Sequence, residues 1–243
     1  MKKHFFLTFI SITFFLIGKS QNKTLEYGVH AGPNLNSVHG TAFNKHYKHS
    51  LFGFNVGGHI KLNTSKRFGI KATLQYEQNG WAYRSLTFQN NSGTTLGKGD
   101  VLFKLNYLTL PVLAEYSFGS KITINISAGV FFGVLLNNQI ITKIKEPEPP
   151  NERTTTKSKS DYRKSANSGI SFGCGVQVPF SPKLKIAVNV HDNYGLLNIN
   201  KSTGSSTNTT IKTNSLSLAF GITLLFFLLA LPYNQLSPEP IFS

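Results

Sequence analysis

LNYLTLPVLAEYSFGSKITINISAGVFFGVLL, residues 105–136, is the stretch on which the fold turns. From Leu108 every second residue is apolar: Leu110, Val112, Ala114, Tyr116 and Phe118 follow. Gly119, Ser120 and Lys121 interrupt, and alternation resumes at Ile122 with Ile124, Ile126, Ala128, Val130, Phe132, Val134 and Leu136. Between them lie Thr109, Glu115, Ser117, Thr123, Asn125, Ser127, Gly129 and Gly133. A period of two is that of a β-strand with one apolar face and one small or polar face. Both runs exceed the common soluble strand of about 5–6 residues. They meet the roughly 9–11 tilted residues that a strand needs to cross a bilayer.

The same hairpin pattern recurs along the chain. Strands are predicted over 26–38, 51–63, 68–81, 105–118, 122–136, 168–178, 184–196 and 214–226, eight in all. The connections alternate long and short. The tight turns are Thr64–Arg67, Gly119–Lys121 and Pro179–Lys183, and the long loops are Gly40–Ser50, Ala82–Lys104, Asn137–Asn167 and Asn198–Thr213. Short periplasmic turns and long outer loops are the asymmetry of outer-membrane barrels. No apolar run approaches the roughly 20 residues of a membrane-spanning helix. Only helices and closed barrels satisfy their backbone groups in lipid. The expectation is an all-β, eight-stranded antiparallel up-and-down transmembrane β-barrel over 21–227, with both termini periplasmic.

Residues 1–20 carry Lys2 and Lys3, an apolar stretch Phe5–Ile17, then Gly18, Lys19 and Ser20, the layout of a signal peptide cut before Gln21. Cleavage removes three lysines and leaves 22 basic against 10 acidic residues, a mature charge of +12. An exported chain with no nucleic-acid module gives that surplus a membrane-facing reading, with solvated loops near anionic lipid and lipopolysaccharide and no nucleic acid. Cys174, alone in the chain, rules out an intrachain disulfide and keeps phase with the outward residues Phe172 and Val176.

Parity sorts the faces. Phe54, Leu74, Leu110, Ile126, Phe172, Val188 and Phe220 are expected to face lipid. His59, Lys71, Glu115 and Asn125 are expected to form a polar row in the lumen. The tight turns place Leu62 opposite Phe68 and His59 opposite Lys71, and Phe118 opposite Ile122 and Glu115 opposite Asn125. With Phe68 and Phe118 at one height, Lys71 falls opposite Glu115 and an ion pair is expected. Pro111 cannot donate to the ladder, and a bulge there would shift the parity above it. The 137–167 loop holds a basic group, Lys143, Lys145, Arg153, Lys157, Lys159, Arg163 and Lys164, and with its prolines is expected to be exposed and disordered.

Further pieces of sequence carry a family likeness: YGVHAGPNLN at 27–36, GFNVG at 53–57, LQYEQNG at 74–80, LNYLTLPVL at 105–113 and YGLLNI at 194–199. In their order and spacing they resemble the PorT-like outer-membrane β-barrel proteins of Bacteroidetes-type bacteria. The resemblance covers nearly all of the mature chain. It implies insertion by the barrel-assembly machinery and allows an envelope protein partner, including an accessory place in a secretion system, but no reaction. Members of that family usually end at the last strand, whereas residues 228–243 continue as a proline-bearing tail.

Catalysis finds little support. His46, His49, Asp100, Asp161, His191 and Asp192 are the candidates for a lipid-modifying enzyme. His191 and Asp192 are adjacent, so on a strand they face opposite sides. A working acid–base pair needs hydrogen-bond reach, and the pair of imidazoles in His46-x-x-His49 lacks the companions of a metal site. No enzyme activity and no cofactor are expected. An eight-stranded interior is filled by side chains, so the expected function is a plugged membrane anchor that presents loops to a surface ligand or partner. The alternative from another class is a soluble, periplasmic, lipocalin-like ligand-binding barrel, which needs its apolar face inside.

Overall fold

A computed structural model describes residues 24–41, 48–89, 92–93, 95–145, 152–158, 163–201 and 210–227. The signal segment, the 228–243 tail, His46, Lys159 and Asp161 lie outside these residues, as do the side chains of Lys145 and 152–158. The strands are β1 (Thr24–His39), β2 (Lys48–Asn63), β3 (Phe68–Gln89), β4 (Thr95–Phe118), β5 (Thr123–Lys145), β6 (Glu152–Ser158), β7 (Ala166–Ser181), β8 (Leu184–Gly195) and β9 (Lys212–Phe227). Each pairs antiparallel with its neighbour, β7 takes the place beside β5, and β9 closes the ring on β1. Eight strands form the barrel, and β6 pairs only with the far end of β5.

Closure leaves each strand with an inner and an outer face, and the sequence alternation decides which is which. The outer face carries Phe54, Leu74, Leu110, Ile126, Phe172, Val188 and Phe220, each at least 40% exposed. Cys174 is exposed beside them. The inner face buries Asn34, Asn55, His59, Gln75, Glu77, Glu115, Asn125, Ser171 and Asn193. The two faces are those of a soluble protein turned inside out, and only an apolar solvent makes so much exposed apolar area stable.

Two expectations about the long connections fail. The segment 82–104 is mostly a hairpin, with β3 running to Gln89 and β4 beginning at Thr95. The segment 137–167 is not a disordered loop throughout, because β5 continues to Lys145 and residues 152–158 pair back onto it from Gln139↔Ser158 to Lys145↔Glu152. Loop composition misled here: Thr, Asn and Gly sit comfortably on a sheet once both neighbours supply ladder partners. A four-stranded sheet from β3, β4, β5 and β6 therefore rises beyond the barrel at its long-loop end. The 24 residues of β4, a little over twice the roughly 9–11 that a tilted strand needs to cross, run about 80 Å at roughly 3.3 Å per residue.

Pro111 causes no bulge. The β4–β5 pairing runs unbroken through Leu110↔Phe132, Pro111↔Phe131 and Val112↔Val130. The missing N–H appears only as a gap in the β3–β4 ladder between Ala72↔Val112 and Gln75↔Thr109, with register kept. The register shift lies higher, between Asn106 and Tyr107, where Leu136 is the extra residue on β5. Asn138 rather than the next odd residue is then buried, which is how a bulge re-aims a strand.

Candidate functional site

The lumen has three storeys. At the short-turn end the row His59, Lys71, Glu115 and Asn125 lies on the inner face, but the opposed pairs differ from the expected ones. Leu62 faces Ile70, His59 faces Thr73 and Lys61 faces Lys71. The reason is the turn: the amides of Thr64 and Ser65 both donate to the Phe68 carbonyl, at 2.9 and 3.1 Å, which sets Phe68 opposite Thr64 rather than Leu62 and carries that register down the ladder. Phe118 likewise faces Ile124 and Glu115 faces Ser127, because Gly119 at φ +103° widens the second turn.

Glu115 therefore sits opposite Gly69, and its closest partner is Lys61, a residue the parity of β2 marks as inward and the sequence reading passed over. Lys61 Nζ donates to Glu115 Oε1 at 2.6 Å, with side chains 6% and 2% exposed. The lysine chain crosses the bare Cα of Gly69, where a Cβ would lie 2.8 Å from its Cε. Lys71 stands farther off, 3.9 Å from Glu115 Oε2. The expected Lys71–Glu115 pair exists, but as the weaker arm of a three-residue cluster.

The middle storey is a small cavity of about 40 Å³ bordered by His30, His59, Lys71, Gln75 and His191. His30 Nε2 lies 3.1 Å from Gln75 Oε1; an amide oxygen only accepts, so the imidazole carries its proton on Nε2. Above it Glu77 accepts from Thr109 Oγ1 and Asn193 Nδ2, both at 3.2 Å. His191 borders this cavity, while Asp192 is paired with the outward residues Phe172 and Leu216. The two therefore face opposite sides and cannot act together.

The top storey is apolar. Trp81, Tyr107, Leu105 and Val38 meet Ile199 and Ile211, which fold in from beyond the strands. Trp81 stacks on Phe103 with ring centres 4.6 Å apart. Arg163 lies across this pair, its guanidinium carbon 5.1 Å from the Trp81 ring, and donates to Asn200 Oδ1 at 2.8 Å. Arg163 thus leaves the expected basic outer group and becomes part of the stopper. Burial works against its charge and lowers its pKa, and burial raises that of Tyr83 beside it. Asn198 Oδ1 accepts the amides of Asn200 and Ile211 at 3.1 and 2.9 Å and ties the cap together. No sequence motif announced this stopper, since its residues come from six separate segments.

Outside, the sheet above the stopper carries Arg84, Lys98 and Lys143 exposed and Lys104 half-buried, and Lys164 is exposed in the segment that leads into β7. Cross-strand register places Lys98 opposite Lys145 and Asp100 opposite Lys143, with Arg153 and Lys157 on the adjoining strand. Among the described residues no group of three His, Cys, Asp or Glu could hold a metal ion.

The family described as an outer membrane protein beta-barrel domain matches residues 19–201, about three quarters of the sequence. The chain belongs to this family. It is an outer-membrane barrel, and the outward apolar rows are the surface such a barrel turns to lipid. Among curated proteins nothing matches. Solved structures of similar fold include Ail of Yersinia pestis in complex with the heparin analogue sucrose octasulfate, at 11% identity over 83% of this chain and 99% of that one, TM-score 0.39. OprG of Pseudomonas aeruginosa is 10% identical over 87% and 98%, TM-score 0.42. A major outer membrane protein of Thermus thermophilus is 14% identical over 84% and 99%, TM-score 0.44. A soluble barrel of lipocalin type would need the two faces exchanged.

Proposed function

We propose that this barrel is a plugged anchor whose working surface is the basic sheet at its long-loop end, and that this surface binds anionic polysaccharide, lipopolysaccharide first among the candidates. One observation carries the reading. Among the described residues, Arg84, Lys98 and Lys143 stand exposed on the sheet that rises clear of the barrel, while the lumen below is closed by Trp81, Tyr107 and Ile199. Interspersed lysines and arginines on a rigid sheet suit a repeating polyanion, and a closed lumen suits binding better than conduction or catalysis. In this reading the signal segment is removed before Gln21, both termini are periplasmic, the sheet is extracellular, and the chain stands closest to the PorT-like branch of its family.

The test is binding of the detergent-solubilised barrel to immobilised lipopolysaccharide across a salt series. Exposed charge contacts are screened at a Debye length of about 8 Å near 0.15 M and about 3 Å at 1 M, so binding should fall steeply with salt. A triple variant Arg84→Gln, Lys98→Gln, Lys143→Gln should lose most of it. Affinity indifferent to both salt and the triple variant would refute the reading.

A further inference from the structure

The short-turn end holds a second, separate feature, a vestibule of about 970 Å³ lined by strand ends and turns. It is blind. Its floor is Lys61, held from above by Glu115 at 2.6 Å; beyond that lie the cavity of about 40 Å³ and then the apolar stopper. A polar chamber open at one end holds a solute rather than passing it. Its volume falls in the range of about 300–1,000 Å³ found for small-molecule sites.

The lining has a definite sign. Lys61, Lys66, Arg67 and Lys185 line it against one carboxylate, Glu26. Glu26 is already engaged: its Oε1 accepts from Lys185 at 2.8 Å and from Asn63 at 2.9 Å. Lys61 is held by Glu115 and reaches Ser117 Oγ at 3.4 Å. Lys66 and Arg67 are exposed at the rim, and among the described residues neither has a carboxylate partner. The sequence repeats the chemistry at each turn: Ser65-Lys66-Arg67, Ser120-Lys121 and Ser181-Pro-Lys183 contain no acid. Of these, Ser65, Lys66, Arg67 and Ser120 line the opening, so hydroxyl donors and positive charge are presented together at one rim.

We infer that this vestibule binds the phosphate group of a small phosphorylated compound, with Arg67 and Lys66 engaging the phosphate oxygens at the rim, Lys185 on the wall, and Ser65, Ser120 and Thr123 as hydroxyl partners. Arginine suits such a group because its planar fork meets two oxygens at once, with lysine as the accompanying point charge. The phosphate can arrive on a soluble ester or as the headgroup of a lipid at the barrel edge.

The experiment titrates the intact barrel in zwitterionic detergent with glycerol 3-phosphate, and with glycerol as the neutral control, by calorimetry. One saturable site is expected for the phosphate and none for glycerol. Lys66→Gln with Arg67→Gln, both exposed and outside the strand ladders, should weaken it at least tenfold, while Lys98→Gln with Lys143→Gln on the opposite end should not. Heat-modifiable gel migration checks that each variant is folded. A repeat in nanodiscs separates the sources: phosphatidylglycerol that displaces the soluble ester identifies a headgroup site, and no displacement identifies a soluble ligand. Absence of saturable binding, or binding that survives Lys66→Gln with Arg67→Gln and falls with the outer pair, would overturn the inference.

Discussion

Replacing Glu115 by Gln keeps the side chain's shape and removes the one carboxylate that Lys61 and Lys71 share. The cost follows from the geometry. Lys61 is 2.6 Å from Glu115 and Lys71 is 3.9 Å away, with all three side chains at most 14% exposed. At an effective dielectric of about 20, a unit pair near 4 Å is worth about 4 kcal/mol and the closer pair somewhat more. Much of that is spent on desolvation, and breaking a buried pair from one side costs about 3–5 kcal/mol because a charge is left stranded. Glu115→Gln strands two ammonium groups that are cross-strand neighbours, so it belongs at the upper end. Lys61→Met leaves Glu115 with Lys71 and relieves the lysine repulsion, so about 1–2 kcal/mol is expected. Lys71→Met should cost still less. The double variant Glu115→Gln, Lys61→Met should be less damaging than Glu115→Gln alone, since one stranded charge goes with its partner. Urea unfolding in detergent micelles measures all four, read by the fluorescence of Trp81, the chain's only tryptophan and 1% exposed. Equal costs for the three single variants, or strict additivity in the double, would refute the cluster.

Three other outcomes are expected. Leu110→Arg, near mid-height on the outer face, should destabilise by about 2–4 kcal/mol and lower the heat-modified fraction, whereas Thr123→Arg at the roomy vestibule should be tolerated; equal effects would contradict the face assignment. Arg163→Ala removes a cation–π contact worth roughly 0.5–2 kcal/mol and should open the stopper, so acrylamide should quench Trp81 more strongly, and unchanged quenching would show that Arg163 does not cover it. For topology, Lys143→Cys in a Cys174→Ser background should react with an impermeant maleimide on intact cells, and Lys66→Cys only after permeabilisation; the reverse pattern would invert the barrel.

The alternation from Leu108 to Phe118 and from Ile122 to Leu136 was enough to read strand and outward face from sequence, because side-chain direction in a strand depends on parity alone. Strand number and order followed from the turns, since an antiparallel up-and-down chain leaves each strand beside its predecessor. Register did not follow. It depends on how many residues each turn consumes, and the Thr64 amide on the Phe68 carbonyl closes the turn with Phe68 opposite Thr64, which sets Lys61 rather than His59 beside Lys71. The reach of Lys61 over Gly69 to Glu115 spans three strands, a relation no local pattern contains. The same holds for the stopper, where Trp81, Tyr107, Arg163, Ile199 and Ile211 meet only because the ring has closed. The hairpin extensions were misread for the opposite reason: in 82–104 and 137–145 polar Thr, Asn, Gly and Lys break up the apolar alternation even though Tyr83 and Phe103 pack against the stopper, so their strand character lies in backbone hydrogen bonds to neighbours, and only the tertiary structure supplies those neighbours.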